Sequence, residues 1–154
     1  MPHSAKHLAA VVLAAGQGTR MKSSLPKVLH PVLGRPLVTY AVDAALEVTG
    51  KPPVLVVGHG ADQVKATLGD RAEYARQAQQ LGTGHAVLQA REALFGRAAR
   101  VLVWYADMPL ISPDMLRRLL AQHASSGATF TLVTVIADDP RGFGRIIRGD
   151  EDTV

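Results

Sequence analysis

The sequence predicts an α/β fold, a mostly parallel sheet covered by helices on both faces, and three observations carry that prediction. Several short runs are apolar at every position rather than alternating, as in Leu8–Ala15, Val54–Val57 and Val101–Trp104. Strands buried on both faces read that way. Stretches with helical spacing separate the runs, in the rhythm of a parallel sheet with crossover helices. The first run also empties straight into Gly16-Gln17-Gly18-Thr19. Such a turn brings bare backbone N–H groups to the carboxyl edge of a sheet, where ligands of open α/β sheets bind.

The elements follow in order. After the glycine loop come Arg20 and Lys27, two cations suited to oxyanions, one as a fork and the other as a point charge. Val28 to Pro36 reads as a connector with two prolines and a glycine. Leu37, Val38, Ala41, Ala44, Ala45 and Val48 recur at helical spacing, and Gly50-Lys51-Pro52-Pro53 stops that helix. The second apolar run, Val54–Val57, ends in Gly58-His59-Gly60, a turn, and a short helix with Val64 and Leu68 follows. Glu73 to Gln77 is a third strand, required by the α/β rhythm more than by its own letters.

Thr83 is the expected cap of a helix whose buried stripe includes Ala86, Val87, Ala90 and Leu94. Val101–Trp104 delivers Tyr105-Ala106-Asp107 to its carboxyl end. Ser112-Pro113-Asp114 starts a further helix: a cap residue, a proline at the first helical position, and an acid at the positive end of the dipole. That helix is expected to run to about Gln122, with Gly127 beyond its end. Thr129–Ile136 reads as a fifth strand, and Asp138-Asp139-Pro140 then turns the chain towards Gly142–Ile147.

Composition removes several function classes. With no cysteine, disulfides and thiolate metal sites are excluded, and a cytoplasmic location fits. The net charge of +4 invites a nucleic-acid reading, but the basic residues are scattered and the few aromatics do not alternate with them. Anionic small molecules account for the excess, so no nucleic-acid partner is expected. Lys6 and His7 before Leu8–Ala15 imitate a secretory signal. Cleavage there would remove the strand that the glycine loop needs, so secretion is not expected. No run reaches the length of a membrane span.

Three carboxyl-edge segments carry the chemistry: Gly16 to Lys27, Gln77 to Thr83, and Tyr105 to Asp107. Asp107 follows a buried strand and precedes Met108-Pro109, a place for a hard cation, and a carboxylate suits Mg²⁺ bridged to phosphate oxygens. A turn-forming aspartate is the plainer alternative. Gln77 offers a donor and an acceptor side by side, the complement of a uracil edge, with backbone groups at Gly82 and Thr83 to complete a pocket. The plainer alternative there is a surface glutamine beside a helix cap. The histidines show no zinc spacing. The loop is neither a dinucleotide fingerprint, since Met21 stands where its third glycine belongs, nor a P-loop.

Read together, Leu13-Ala14-Ala15-Gly16-Gln17-Gly18-Thr19-Arg20-Met21, Leu25-Pro26-Lys27, Gln80-Leu81-Gly82-Thr83-Gly84-His85-Ala86, Tyr105-Ala106-Asp107-Met108-Pro109-Leu110 and Asp139-Pro140-Arg141-Gly142-Phe143-Gly144-Arg145-Ile146 resemble one family closely. It is the N-terminal uridyltransferase domain of the bifunctional N-acetylglucosamine-1-phosphate uridyltransferase/glucosamine-1-phosphate acetyltransferase. The resemblance implies a Rossmann-like sheet of the nucleotide-diphospho-sugar transferase type over residues 1–154. It implies joining of UTP to N-acetylglucosamine 1-phosphate, releasing pyrophosphate and giving UDP-N-acetylglucosamine with Mg²⁺. An exposed sheet edge, where later strands of the family would pair, is expected to favour association into a homo-oligomer.

By the same resemblance Leu13, Ala14, Ala15, Gly16 and Gly18 would meet the nucleotide, and Arg20 and Lys27 its phosphates. Gln77, Gly82 and Thr83 would read uracil, Asp107 would hold the metal, and Tyr105, Ala106 and Gly144 would line the sugar side. Two departures stand out. The family has glycine where this chain has Ala106, whose methyl would crowd a closely approaching ligand. The family also continues past the last motif, with further sugar and metal residues and a β-helix acetyltransferase domain, so this chain is expected to carry part of the site. A non-catalytic nucleotide-binding module, or a nucleotidyltransferase for another sugar phosphate, stays open.

Overall fold

The computed structural model describes residues 8–142, 144–147 and 149. Four strands form one parallel sheet: β1 (Leu8–Ala14), β4 (Val54–Val57), β5 (Glu73–Arg76) and β6 (Arg100–Tyr105), in the spatial order β5-β4-β1-β6. β1 lies inside the sheet, with Val11 beside Val54 on one flank and Val103 on the other. A pair of two-residue strands, β2 (Pro31–Val32) and β3 (Arg35–Pro36), makes a separate antiparallel hairpin. The connector predicted over Val28 to Pro36 thus contains a hairpin. Its two turn residues, Leu33 and Gly34, both have positive φ, 49° and 77°, as a two-residue mirror-image turn requires.

Helices cover both faces. α1 (Leu37–Thr49), α2 (Ala61–Leu68) and α5 (Pro113–Ser126) lie on one face. There Val38, Ala41, Val42, Val64 and Leu116 pack with Ala10, Val12, Leu55, Val57, Leu102 and Trp104 of the strands. α3 (Thr83–Gln89) and α4 (Arg91–Leu94) lie on the other, where Ala86 and Ala90 meet Val11, Leu13, Val54 and Val56. Successive residues of β1 therefore alternate between two cores, which is why the whole strand is apolar. Val11 and Val12, both 0% exposed, bury fully on opposite faces, each stabilising the fold by about 1.5 kcal/mol or more.

Most predicted boundaries hold to within a few residues. Helix α5 runs four residues beyond the expected Gln122, to Ser126, where Gly127 stops it in the left-handed conformation at φ 63°. Ser112 caps its start, its side chain accepting from the Met115 amide at 3.2 Å. The single helix expected after Thr83 is two short ones that meet at Ala90. At the amino end of the sheet Arg97 grips Glu73 through two hydrogen bonds of 2.9 and 3.1 Å, and that guanidinium holds the carboxyl below its usual range.

One element is corrected. Thr129–Ile136 forms no strand. A strand exists only through a ladder, and this segment pairs with no neighbour in the sheet. Leu132, Val133, Val135 and Ile136 are exposed, while His123 at the end of α5 bonds Thr131 Oγ1 at 2.9 Å. High β propensity without a paired edge leaves the run outside any sheet. Phe143 and Arg148, in or beside the last motif, lie outside the described residues.

Candidate active site

Counted along the sheet, the four strands stand in the chain order third, second, first, fourth. The order reverses between β1 and β6, so the crevice beyond their carboxyl ends is the topological switch point of the fold. The loops that leave these two strands carry the glycine motif and Asp107.

Ala15, Gly16 and Gln17 leave β1, and Thr19–Met21 makes one tight helical turn. Gly18 needs to be glycine twice over: its φ is 62°, and a Cβ on it would lie 2.7 Å from Lys27 Cβ. Its bareness lets the second cation of the motif press against the loop. Gly16 faces open space instead, with nothing within 4 Å of where a Cβ would be. A second tight approach lies one strand over, where a Cβ on Gly60 would meet Pro26 Cγ at 2.3 Å. The turn after β4 thus braces the Leu25-Pro26-Lys27 corner.

Lys27 Nζ and Asp107 Oδ2 form an ion pair across 80 positions of sequence. Their side chains remain 35% and 28% exposed, so both stay open to a ligand. The predicted phosphate cation and the predicted metal carboxylate therefore neutralise each other. Arg20 is exposed on the helical turn and holds no ion pair among the described residues. Beside the loop lies a concavity of about 350 Å³ lined by Gln17, Gly18, Thr19, Lys22, Ser23 and His59, among others. Its lining includes neither Asp107 nor Gln77, so it is an annex of the crevice. Lys22 sits there with φ 48°, a conformation costly for a residue with a side chain.

The opposite wall comes from the end of β5 and the start of α3. Gln77 is buried, and its backbone N–H continues the ladder to the Val57 carbonyl at 2.8 Å. Its side-chain amide donates to the Gly82 carbonyl at 3.2 Å and lies 3.0 Å from His85 Nδ1. One hydrogen of the Gln77 amide is thus already engaged within the protein. Gln80 ties this wall to the glycine loop by donating to the Ala15 carbonyl at 2.6 Å. Thr83 does not cap α3, since Gly82 holds the cap position; its hydroxyl bonds Tyr105 OH at 3.2 Å instead.

The remaining predicted residues separate into two groups. Leu13, Ala14 and Ala15 are buried, so at most their backbone faces a ligand. Ala106 is 0% exposed and packs in the core shared with α1 and α5, while its N–H bonds the Leu13 carbonyl at 2.9 Å. Its methyl therefore fills the core, and the crowding expected from it does not arise. Gly144 is exposed, with nothing within 4 Å of a Cβ on it. His85 and Gln80 were missed as site residues. Their only sequence signal was membership of the same motif as Gly82 and Thr83.

Among the described residues no cluster of three or more His, Asp or Glu could form an all-protein metal cage. Mg²⁺ rarely wants one; it takes one or two carboxylates plus phosphate oxygens and water. The half-open Asp107 carboxylate fits that donor set.

Comparison with known proteins agrees with this geometry. A family model described as the MobA-like NTP transferase domain matches residues 10–143. The chain belongs to this family. It is 50% identical over 145 residues to the bifunctional protein GlmU of an Exiguobacterium species and to that of Bacillus subtilis. Each match covers 94% of this chain and 32% of the relative, so the chain spans about a third of the length of these curated relatives, in their N-terminal region.

Among solved structures, Rv0371c from Mycobacterium tuberculosis H37Rv matches with a TM-score of 0.68 at 24% identity, over 79% of this chain and 63% of that one. That protein has also been crystallised with manganese. A UDP-glucose pyrophosphorylase complexed with UDP-glucose matches with a TM-score of 0.62 at 25% identity, over 79% and 55%. These likenesses show the nucleotidyltransferase fold. Among the described residues no helix is long and apolar enough to cross a membrane.

Proposed function

We propose that this chain is the nucleotide-binding part of a uridylyltransferase that joins UTP to N-acetylglucosamine 1-phosphate, giving UDP-N-acetylglucosamine and pyrophosphate. The observation that carries the proposal is the meeting of Lys27 and Asp107 at the switch point. One is the partner a triphosphate needs, the other the partner its cation needs. A nucleotide arriving with its metal offers each residue a new partner of opposite charge, so the two ions exchange partners and neither is left bare. The likeness to the bifunctional protein GlmU supports UTP and the sugar phosphate as substrates. The manganese complex of a structural neighbour supports a divalent cation, which we take to be Mg²⁺ at Asp107.

The chemistry asks little covalent work of the protein. A sugar phosphate is mostly a dianion near neutral pH, since the second pKa of a phosphomonoester is about 6. It needs no general base. The barrier lies in bringing one anion onto the α-phosphorus of another and stabilising the departing pyrophosphate. A cation about 4 Å from a unit negative charge is worth about 4 kcal/mol at an effective dielectric of 20. Lys27, Arg20 and the backbone amides at Gly16 and Gly18 would supply that stabilisation. Bound Mg²⁺ would add further neutralisation of the phosphate oxygens. Gln77 would contact the base, and Tyr105 would border the sugar side.

Calorimetric titration with UTP, CTP, ATP and GTP in the presence of Mg²⁺ tests the reading. UTP is expected to bind tightest. Equal affinities would sink the base assignment and favour a general nucleotide-binding module. Pyrophosphate release from UTP with N-acetylglucosamine 1-phosphate, beside glucose 1-phosphate, then tests the sugar.

A further inference from the structure

Gln77 is only 6% exposed, and its side-chain nitrogen faces two groups, the Gly82 carbonyl at 3.2 Å and His85 Nδ1 at 3.0 Å. A carbonyl only accepts, so the amide atom turned towards Gly82 is the NH₂ group. It has two hydrogens, and the two neighbours take one each when Nδ1 carries its lone pair. The other ring nitrogen, Nε2, lies 3.1 Å from the side-chain nitrogen of Gln89, which also reaches the His85 carbonyl at 3.2 Å. A neutral imidazole has one lone pair, and two amides cannot both donate to it. Gln77 is buried and has no water to turn to, whereas the half-buried Gln89 can swing or meet solvent. Leaving the buried donor unmet is the costlier choice, so the lone pair goes to Gln77 and the ring proton sits on Nε2.

We propose that His85 is a positioning residue which, through its Nδ1, locks the Gln77 amide so that only the carbonyl oxygen Oε1 is offered to the base. The inference rests on the nucleotide-binding reading above, with Gln77 at the base. An acceptor fixed in that place selects a base with a ring N–H, as in uracil, against one whose ring nitrogen is itself an acceptor, as in cytosine. Without His85 only the Gly82 carbonyl, at 3.2 Å, still holds the amide, so a half-turn about its last torsion breaks one hydrogen bond instead of two and the side chain presents either group more readily. His85 thereby turns an ambivalent side chain into a reader of one pattern.

The test pairs nucleotide titrations with NMR of the ring. The wild-type chain, His85→Ala and His85→Asn are titrated with UTP, CTP and 3-methyl-UTP in Mg²⁺, and ¹⁵N shifts give the His85 tautomer without nucleotide. The preference for UTP over CTP is expected to fall about tenfold or more in His85→Ala. His85→Asn keeps it, since the asparagine Oδ1 can accept where Nδ1 does. In the wild type, 3-methyl-UTP loses the advantage of UTP, and the free ring carries its proton on Nε2. Equal weakening of UTP and CTP in His85→Ala, with their ratio intact, would overturn the proposal, and so would a ring protonated on Nδ1. A wild-type chain that does not prefer UTP would instead defeat the uridylyl reading, and the tautomer would still decide whether His85 locks Gln77.

Discussion

The two walls of the crevice are built on opposite principles. The phosphate wall, Gly16 to Lys27 with Asp107, is a set of charges whose partners are interchangeable: Lys27 holds Asp107 in this structure, yet both side chains are reachable by other ions. The base wall, Gln77 to His85, is a hydrogen-bond network around the side-chain amide of a buried glutamine. Charges at a half-exposed surface give strength that salt and distance erode. Hydrogen bonds made by a buried group give discrimination, because such a group has little water to turn to when it is unmatched. One wall is suited to affinity for any nucleoside triphosphate, and the other to choice among them.

The largest expected break in that division is at Lys27. Lys27→Ala removes the cation and leaves the Asp107 carboxylate facing the phosphates, so nucleotide affinity should drop by about a hundredfold or more, for UTP and CTP alike. Arg117→Ala, on α5 and already paired with Glu47 and Asp114, should leave affinity within about twofold. Titration of both variants decides it: equal losses would mean a diffuse positive field and no specific phosphate wall.

Bracing of the phosphate wall gives the next effect. Gly60→Ala places a methyl against the Pro26 ring and at an unfavourable φ of 73°. It should lower stability by about 1–3 kcal/mol in urea unfolding and loosen the Lys27 corner. Gly84→Ala, in the first turn of α3 with no atom within 4 Å, should be neutral or slightly stabilising. Similar losses from both would show that the turn after β4 does not brace the loop.

Salt separates the walls without mutation. Raising ionic strength from about 0.05 to about 0.5 M should weaken every nucleotide severalfold while leaving the ratio of UTP to CTP affinity unchanged. A ratio that shifts with salt would mean that charge, and not the Gln77 network, reads the base. The smallest effect lies outside both walls. Leu33 is 93% exposed and held at φ 49° in the hairpin turn. Leu33→Asn, better suited to that conformation, should stabilise the chain by about 0.5 kcal/mol in thermal unfolding, with nucleotide binding unchanged.

The sequence by itself determined what depends on neighbours along the chain. The parallel sheet and its two-sided burial were legible because β1 and β4 are apolar at every position, and α5 because Ser112-Pro113 and Gly127 mark its ends. The glycine loop, Lys27, Asp107 and Gln77 were legible as motif residues. Tertiary structure alone decided how they meet. Thr129–Ile136 has as much β propensity as Val54–Val57, yet propensity cannot supply a paired edge, and this run has none here. Whether the Ala106 methyl would stand in the way of a closely approaching ligand was not legible in the letters; the strand register turns it into the core. Lys27 and Asp107 were legible as a phosphate cation and a metal carboxylate on one sheet edge, but not as partners of each other; the switch between β1 and β6 closes 80 positions of chain into one ion pair. No local pattern records which side-chain nitrogen faces which ring nitrogen, so the hold of His85 on Gln77 came only from the fold, which seats α3 on β1 and β4 with His85 beside the residue that follows β5.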